Sequence, residues 1–427
     1  MATQTKLELR NQVMYSVYVR NYSEAGTFQA VEQDLDRIQK LGVDVIWFMP
    51  IHPVGEKAKK GQLGSPYAIK NYREINPEFG TMEDFKSVVD AIHAKGMKCI
   101  IDVVYNHTSP DSWLVENHPE FFYKKPDGSM GNRVGDWTDI VDLDYNNKEL
   151  WAYQIETLKM WAAIVDGFRC DVAPLIPIEF WMQARKEVAE VNPDCIWLSE
   201  SVEPEFITYL RSQNMVAHSD GEVYQAFDMC YDYDIYKNFR DYIKGACPLS
   251  TYADAVNRQE YIFPANYVKL RYLENHDQDR AKSFIDSEEA MLNWLTFTYF
   301  QKGMTLLYCG QEAEDDKRPD LFNKDTVNWN TGKDLSDLMS KLYQLKKNPI
   351  LTNSMYKLKA DDDKDILVGM HVSGGKKLVG IFSFKGSKAE AEVDLADGTY
   401  KNLLTEESVI VTDGKVYCDG NPIIIEA

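Results

Sequence analysis

The sequence has no long apolar run. Nowhere does it approach the roughly 18 consecutive apolar residues of a membrane-spanning helix, which excludes a helical membrane protein. Positive charge is scarce beside negative: 47 Lys and Arg face 67 Asp and Glu, for a net charge of −20. That balance argues against nucleic acid or an anionic membrane face as a partner and fits a neutral substrate. The seven cysteines form no Cys-x-x-Cys pair and no metal-type spacing. Cys99, Cys170, Cys195 and Cys309 lie in apolar runs, where a thiol serves as a small hydrophobe. The N-terminus, Met1–Arg10, is polar and lacks the apolar core of a signal peptide. A reducing, cytoplasmic setting is the simple expectation. Internal repeats and low-complexity stretches are also absent.

What is present is a chain of 427 residues, 44% hydrophobic and 27% charged, the size of one large domain with an appendage. Short apolar runs alternate with helical patterns as far as residue 345. Eight strands are expected: Val13–Val19, Val43–Met49, Lys98–Val104, Val165–Asp171, Cys195–Glu200, Glu222–Asp228, Lys269–Glu274 and Thr305–Tyr308. Most are continuous and not alternating, the mark of strands buried on both faces under helices. Helices are expected between them, at Thr27–Leu41, Thr81–Lys95, Leu150–Ala163 and Pro177–Val191. The second opens with a capping-box pattern, Thr81 and Asp84, and stops at Gly96. Eight strand–helix repeats predict an α/β fold, a closed (β/α)₈ TIM barrel.

Two segments depart from the alternation. After the third strand comes a long loop rich in Pro, Gly, Asp and Trp, which reads as a short inserted subdomain over 106–147. Beyond Pro349 the pattern alternates, with turn signals at Gly374–Gly375, Asp397–Gly398 and Asp413–Gly414. This predicts a C-terminal antiparallel β-sandwich over 350–427, behind a catalytic barrel over 1–349.

Active sites of such barrels stand at the C-terminal ends of the strands. There the sequence places Asp102 to His107, Arg169 to Asp171, Glu200, and His276-Asp277. A single Asp at a strand end is usually a cap or an ion-pair partner. Carboxylates arriving from separate strands, with an arginine and two histidines, are harder to explain so, because buried charge is costly unless paired or functional. Glycoside cleavage needs this set: an acid for the leaving oxygen and a carboxylate on the opposite side of an oxocarbenium-like state. Arg169 lies two residues before Asp171, on the same face of its strand, and is expected to keep Asp171 ionised and lower its pKa. Trp197 and Leu198 give Glu200 an apolar setting that raises a carboxyl pKa, as a general acid needs. Asp277 would hold sugar hydroxyls, with His107 and His276 beside it.

The runs DVVYNH (Asp102–His107), GFRCDV (Gly167–Val172), SES (Ser199–Ser201) and ENHD (Glu274–Asp277) resemble, in order, the four sequence regions of the α-amylase superfamily. GMTLLYCGQE (Gly303–Glu312) is similar to its eighth-strand region. Ser65–Tyr72 and Ile75–Thr81 resemble its second-loop signature. The resemblance covers the barrel. It implies Asp171 as nucleophile, Glu200 as acid/base and Asp277 as transition-state stabiliser. It implies Arg169 on the nucleophile with Asp102 as its partner, His107 and His276 on the sugar at the non-reducing side of the cut, and Tyr67 stacked under that sugar. Retention of configuration follows, with the two carboxyls about 5–5.5 Å apart.

The match fails at Pro174-Leu175, where many calcium-dependent members carry Lys-His. Asn106 and Asp144 match other calcium-ligand positions, and Asp139 and Asp142 lie near. The expectation is therefore an enzyme with no required cofactor, with Ca²⁺ as a doubtful addition. The leading reading is hydrolysis of α-1,4 bonds in malto-oligosaccharides or starch fragments. An α-1,6-active glucosidase or a transglycosylase could use the same residues, and a non-catalytic sugar binder is the reading from another class. Neither oligomeric state nor chain-length preference is legible.

Overall fold

The computed structural model describes residues 5–134 and 137–427. Met1–Gln4 of the polar N-terminus and Gly135–Asp136 of the long loop lie outside the described residues. Eight strands form a closed barrel, and seven of them overlap the expected segments. They are β1 (Val13–Val17), β2 (Val45–Phe48), β3 (Lys98–Val103), β4 (Gly167–Cys170), β5 (Ile196–Ser199), β6 (Met229–Tyr231), β7 (Val268–Arg271) and β8 (Met304–Tyr308). Each strand pairs in parallel with its neighbours in the chain, and β8 closes onto β1. Almost every strand residue is buried. The continuous apolar runs exist because helices cover one face and barrel side chains fill the other.

Local chemistry sets the helix ends. Thr81 caps the helix Met82–Ala94 by accepting from the Asp84 amide, and Asp84 returns a bond from the Thr81 amide at 2.8 Å. The single helix expected over Thr27–Leu41 is instead two, Phe28–Gln33 and Leu35–Lys40. They break at Asp34, whose carboxylate is drawn to Arg37 (2.8 Å) and to the Tyr22 hydroxyl. The sixth strand needs a larger correction. The segment Glu222–Asp228 is not a strand: Asp220–Val223 is a helical turn, and β6 begins at Met229. Ser219 and Glu222 make the reason plain, since the Glu222 carboxylate accepts from the Ser219 amide at 2.7 Å, the back-bond of a capping box.

The long loop after β3 contains a two-stranded ribbon, His107–Thr108 against Val141–Asp142, and a short helix, Trp113–Asn117. From Met355 on, the chain is antiparallel. A four-stranded sheet is built from β9 (Met355–Asp361), β10 (Ile366–Ser373), β11 (Lys376–Phe382) and β16 (Ile423–Glu426). Two ribbons face it, β12 (Ala389–Glu392) with β15 (Lys415–Cys418) and β13 (Gly398–Lys401) with β14 (Ser408–Val411). A satellite core of Ile366, Val379, Ile381, Val411, Val416 and Ile425 fills the space between. This unit docks on the barrel helix Glu288–Phe300, where Trp294 stacks on Phe384 at 3.7 Å and 14°. No helix among the described residues is long and apolar enough to cross a membrane.

Candidate active site

β3 and β4 run side by side with Asp102 opposite Arg169. Both side chains are fully buried and point into the barrel mouth. A guanidinium so placed must be paired. Arg169 Nη1 donates to both Asp102 oxygens (2.9 and 3.1 Å) and to Asp171 Oδ1 (2.8 Å). Its Nη2 lies 2.9 Å from Glu200 Oε1, an ion pair. One cation therefore serves three carboxylates from three strands. Their mutual repulsion and their burial act together: Asp171 and Glu200 are 6% and 7% exposed.

The acidities follow. Burial raises Glu200 to about 8, with Arg169 opposing and Asp171 and Asp277 adding to the rise. Burial also raises Asp102 and Asp171, each to about 6, against the pull of Arg169. The expectation that Arg169 would hold Asp171 below its ordinary value is thus corrected, because desolvation by burial outweighs a guanidinium that three carboxylates share. The relative order survives: Glu200 holds its proton where Asp171 has released one. Asp277 goes the other way. Its side chain is 40% exposed, and His276 and Arg169 outweigh its burial and lower it.

Backbone geometry fixes Glu200 further. Its Oε2 accepts from the Val172 amide at 2.8 Å. Val172 follows Asp171 and has φ 35° and ψ 42°, a left-handed conformation that a β-branched residue rarely adopts. Such strain costs on the order of 1–3 kcal/mol and concentrates at functional sites.

Tyr67, His276 and Asp277 line the same mouth. The Tyr67 ring lies parallel to His276 at 5.6 Å and 19°. Its hydroxyl donates to Asp102 Oδ2 (3.2 Å) and sits 2.6 Å from His276 Nε2, which is 3.1 Å from Asp277 Oδ2. His107 is buried beside the Tyr67 backbone, and burial lowers its pKa. Its Nδ1 accepts from Asn106 Nδ2 at 3.1 Å, and its ring lies 5.7 Å from Trp137. All eight residues singled out in the sequence are therefore brought to one mouth. Two others were missed. Tyr231 at the end of β6 accepts from Arg169 Nε at 3.1 Å, and Trp47 in β2 packs its ring against both Arg169 and His276. Misplacing β6 hid the first, and Trp47 reads as core until the barrel closes.

The loop acids have partners of their own. Asp142 Oδ2 accepts from the Arg133 amide at 2.7 Å, and Asp139 pairs with Lys60 at 3.0 Å. Asp144 accepts from Asn146, and Asn106 is turned to His107. These contacts take up some of the loop's oxygens, while Asp142 Oδ1 is buried without a hydrogen-bond partner. No group of three or more potential ligands converges among the described residues.

Comparison with known proteins agrees with this architecture. The alpha amylase catalytic domain matches residues 15–128 and 134–356, and the bacterial alpha amylase C-terminal domain matches 357–425. The chain is 26% identical over 335 residues to alpha-amylase MalA of Haloarcula japonica, covering 72% of this chain and 45% of that protein. It is 32% identical over 235 residues to an alpha-1,4-glucan:maltose-1-phosphate maltosyltransferase of Myxococcus xanthus, covering 50% and 34%. The chain thus spans about half or less of the length of these curated relatives. Solved structures match over their full length. An alpha-amylase from Lactobacillus plantarum superimposes with TM-score 0.96 at 48% identity, over 99% of this chain and 100% of that one. A noncanonic maltogenic alpha-amylase, AmyB from Thermotoga neapolitana, gives 0.88 at 33%, over 98% and 99%. The chain belongs to the alpha-amylase family of glycoside hydrolases.

Proposed function

We propose that the protein hydrolyses α-1,4-glucosidic bonds of malto-oligosaccharides or starch fragments with retention of configuration. The observation that carries this reading is the single Arg169 guanidinium shared by Asp171 and Glu200, at 2.8 and 2.9 Å. Two carboxyls on the two terminal nitrogens of one guanidinium are close neighbours, which favours the retaining spacing of about 5–5.5 Å over the wider inverting one. Asp171, ionised, attacks the anomeric carbon as Glu200 gives its proton to the leaving oxygen. The glycosidic bond breaks and a glycosyl ester forms. Glu200, now a carboxylate, takes a proton from water, whose oxygen displaces Asp171 and releases the sugar. Asp277, Tyr67, His107 and His276 hold the sugar between them, and Asp102 fixes Arg169.

A second reading, transfer to a sugar acceptor, draws support from the maltosyltransferase among the relatives. It differs only in what reaches the ester. Incubation with maltoheptaose, panose, isomaltose and soluble starch, resolved by chromatography, separates the two. Shorter maltodextrins from maltoheptaose and starch support hydrolysis. Products longer than maltoheptaose move the reading to transfer. Glucose from panose or isomaltose alone means α-1,6 action.

A further inference from the structure

The rim of the barrel mouth is bound together most extensively on one side. Arg318 of the loop after β8 donates to the Asp277 carbonyl at 2.9 Å. The same loop continues to Phe322 and Asn323, which accept from the Leu63 and Gln62 amides at 3.0 and 2.9 Å. Residues 55–64 thus form a strap, and it runs directly into Ser65-Pro66-Tyr67. Gly61 makes the contact possible: φ is 66°, and a Cβ there would meet Phe322 Cβ at 2.6 Å. Arg20, almost fully buried, ties the strap from beneath by donating to the Gly64 and Leu321 carbonyls (3.1 and 3.2 Å). On its other flank the strap reaches the long loop, where Lys60 pairs with Asp139 at 3.0 Å. That loop returns to the site through Trp137 and His107. From Asp277 round to His107, then, the loops after β7, β8, β2 and β3 form one continuous wall.

The opposite half is different. The loop after β4 is a short turn, Ala173–Leu175. After Glu200 the chain enters the helix Pro204–Ser212, where Tyr209 is 56% exposed. Among the described residues, the hydrogen bonds of 203–213 stay within residues 203–222. The loops after β4 and β5 meet where the His218 amide donates to the Pro174 carbonyl at 2.9 Å, and among the described residues 203–213 make no hydrogen bond across the mouth.

The wall stands behind Tyr67, His107, His276 and Asp277, the groups that hold the sugar on the non-reducing side. The open half begins at Glu200, which faces the leaving group. We infer that the strap 55–64 and the loop 316–325 close the cleft beyond the glycone, so that the enzyme trims glucose or maltose from non-reducing chain ends. The leaving chain runs out over the open half and its length is not limited. This rests on the malto-oligosaccharide reading above.

Two substrates test it: 4-nitrophenyl α-maltoheptaoside with a free non-reducing end, and the same compound blocked there by a 4,6-ethylidene group. The expected result is glucose or maltose from the free compound, with kcat/KM for the blocked one lower by on the order of 100-fold, since a wall rejects by clash. A strap shortened by deleting Lys57–Lys60 should recover the blocked substrate by about tenfold or more. Comparable cleavage of both compounds by the unaltered enzyme would overturn the inference while leaving the malto-oligosaccharide reading intact. Turnover of neither would overturn both. If the shortened variant does not fold, the free-against-blocked comparison still decides.

Discussion

Two of the buried charge clusters on this barrel are stocked differently. Around β7, Lys269 bonds Asp220 and Asp234, Arg271 bonds Asp232 at 2.7 Å, and Gln259 donates to Asp232 and Asp234. Two cations and an amide face three carboxylates, and although burial works to lower both cations' pKa values, the surrounding carboxylates outweigh it and keep them protonated. At the mouth, Arg169 alone faces Asp102, Asp171 and Glu200. In the near-balanced cluster each carboxylate has a cation or amide against it, although burial still raises Asp220. A cluster short of cations raises its carboxyl pKa values into the range where a proton can move at neutral pH. Burial alone does not make a catalytic site. What matters is the deficit of counter-charge in a place that substrate can reach.

The contrast can be broken in graded ways. Asp171→Asn should lose at least about 10⁴-fold in kcat on maltoheptaose, as loss of a nucleophile does, while oligosaccharide binding by calorimetry persists. Retained turnover would remove Asp171 from the role. Glu200→Gln should cost on the order of 10²–10⁴-fold, and much less on an aryl glycoside whose leaving group needs no protonation. Lys269→Met should leave kcat near normal yet cost about 3–5 kcal/mol in denaturant unfolding, because Asp220 and Asp234 would stay buried without their cation. Equal damage to kcat would abolish the distinction between the clusters. Tyr231→Phe removes one bond to Arg169 and should slow turnover by only about fivefold, for roughly 1 kcal/mol.

Acidity sharpens the same contrast. The proposed mechanism needs Asp171 ionised and Glu200 protonated, so kcat/KM should fall below about pH 6 and above about pH 8, following the values to which burial raises them. Stability should run with its own sign. Both folded-state pKa values lie above the unfolded ones, so the contribution is complete below about pH 4 and is lost as pH rises to about 8. Glu200→Gln should therefore melt higher than the parent at pH 8, with the gap closing toward pH 4.5. A gap that widens on acidification would contradict the raised Glu200.

Periodicity carried most of the barrel, since runs such as Val43–Met49 and Thr305–Tyr308 have no other use than a strand buried on both faces. The strand ends then marked Asp102, Asp171, Glu200 and Asp277 by their chemistry. Two things escaped. Val223 to Phe227 looked like a strand because its apolar residues outweighed a Ser219–Glu222 cap, and Tyr231 was lost with it. The sign of the Asp171 shift escaped because sequence shows a neighbouring arginine but not how many carboxylates share it. The strap escaped as well: its hold on Phe322 and Asn323 spans about 260 residues of chain, a distance no local pattern encodes.

Val172 shows how such a site lasts from one turnover to the next. Its left-handed backbone aims one amide at Glu200, and the rest of the barrel holds it there. The acid therefore needs no search for its orientation when substrate arrives. That order was imposed once, when the chain folded, and each catalytic cycle inherits it.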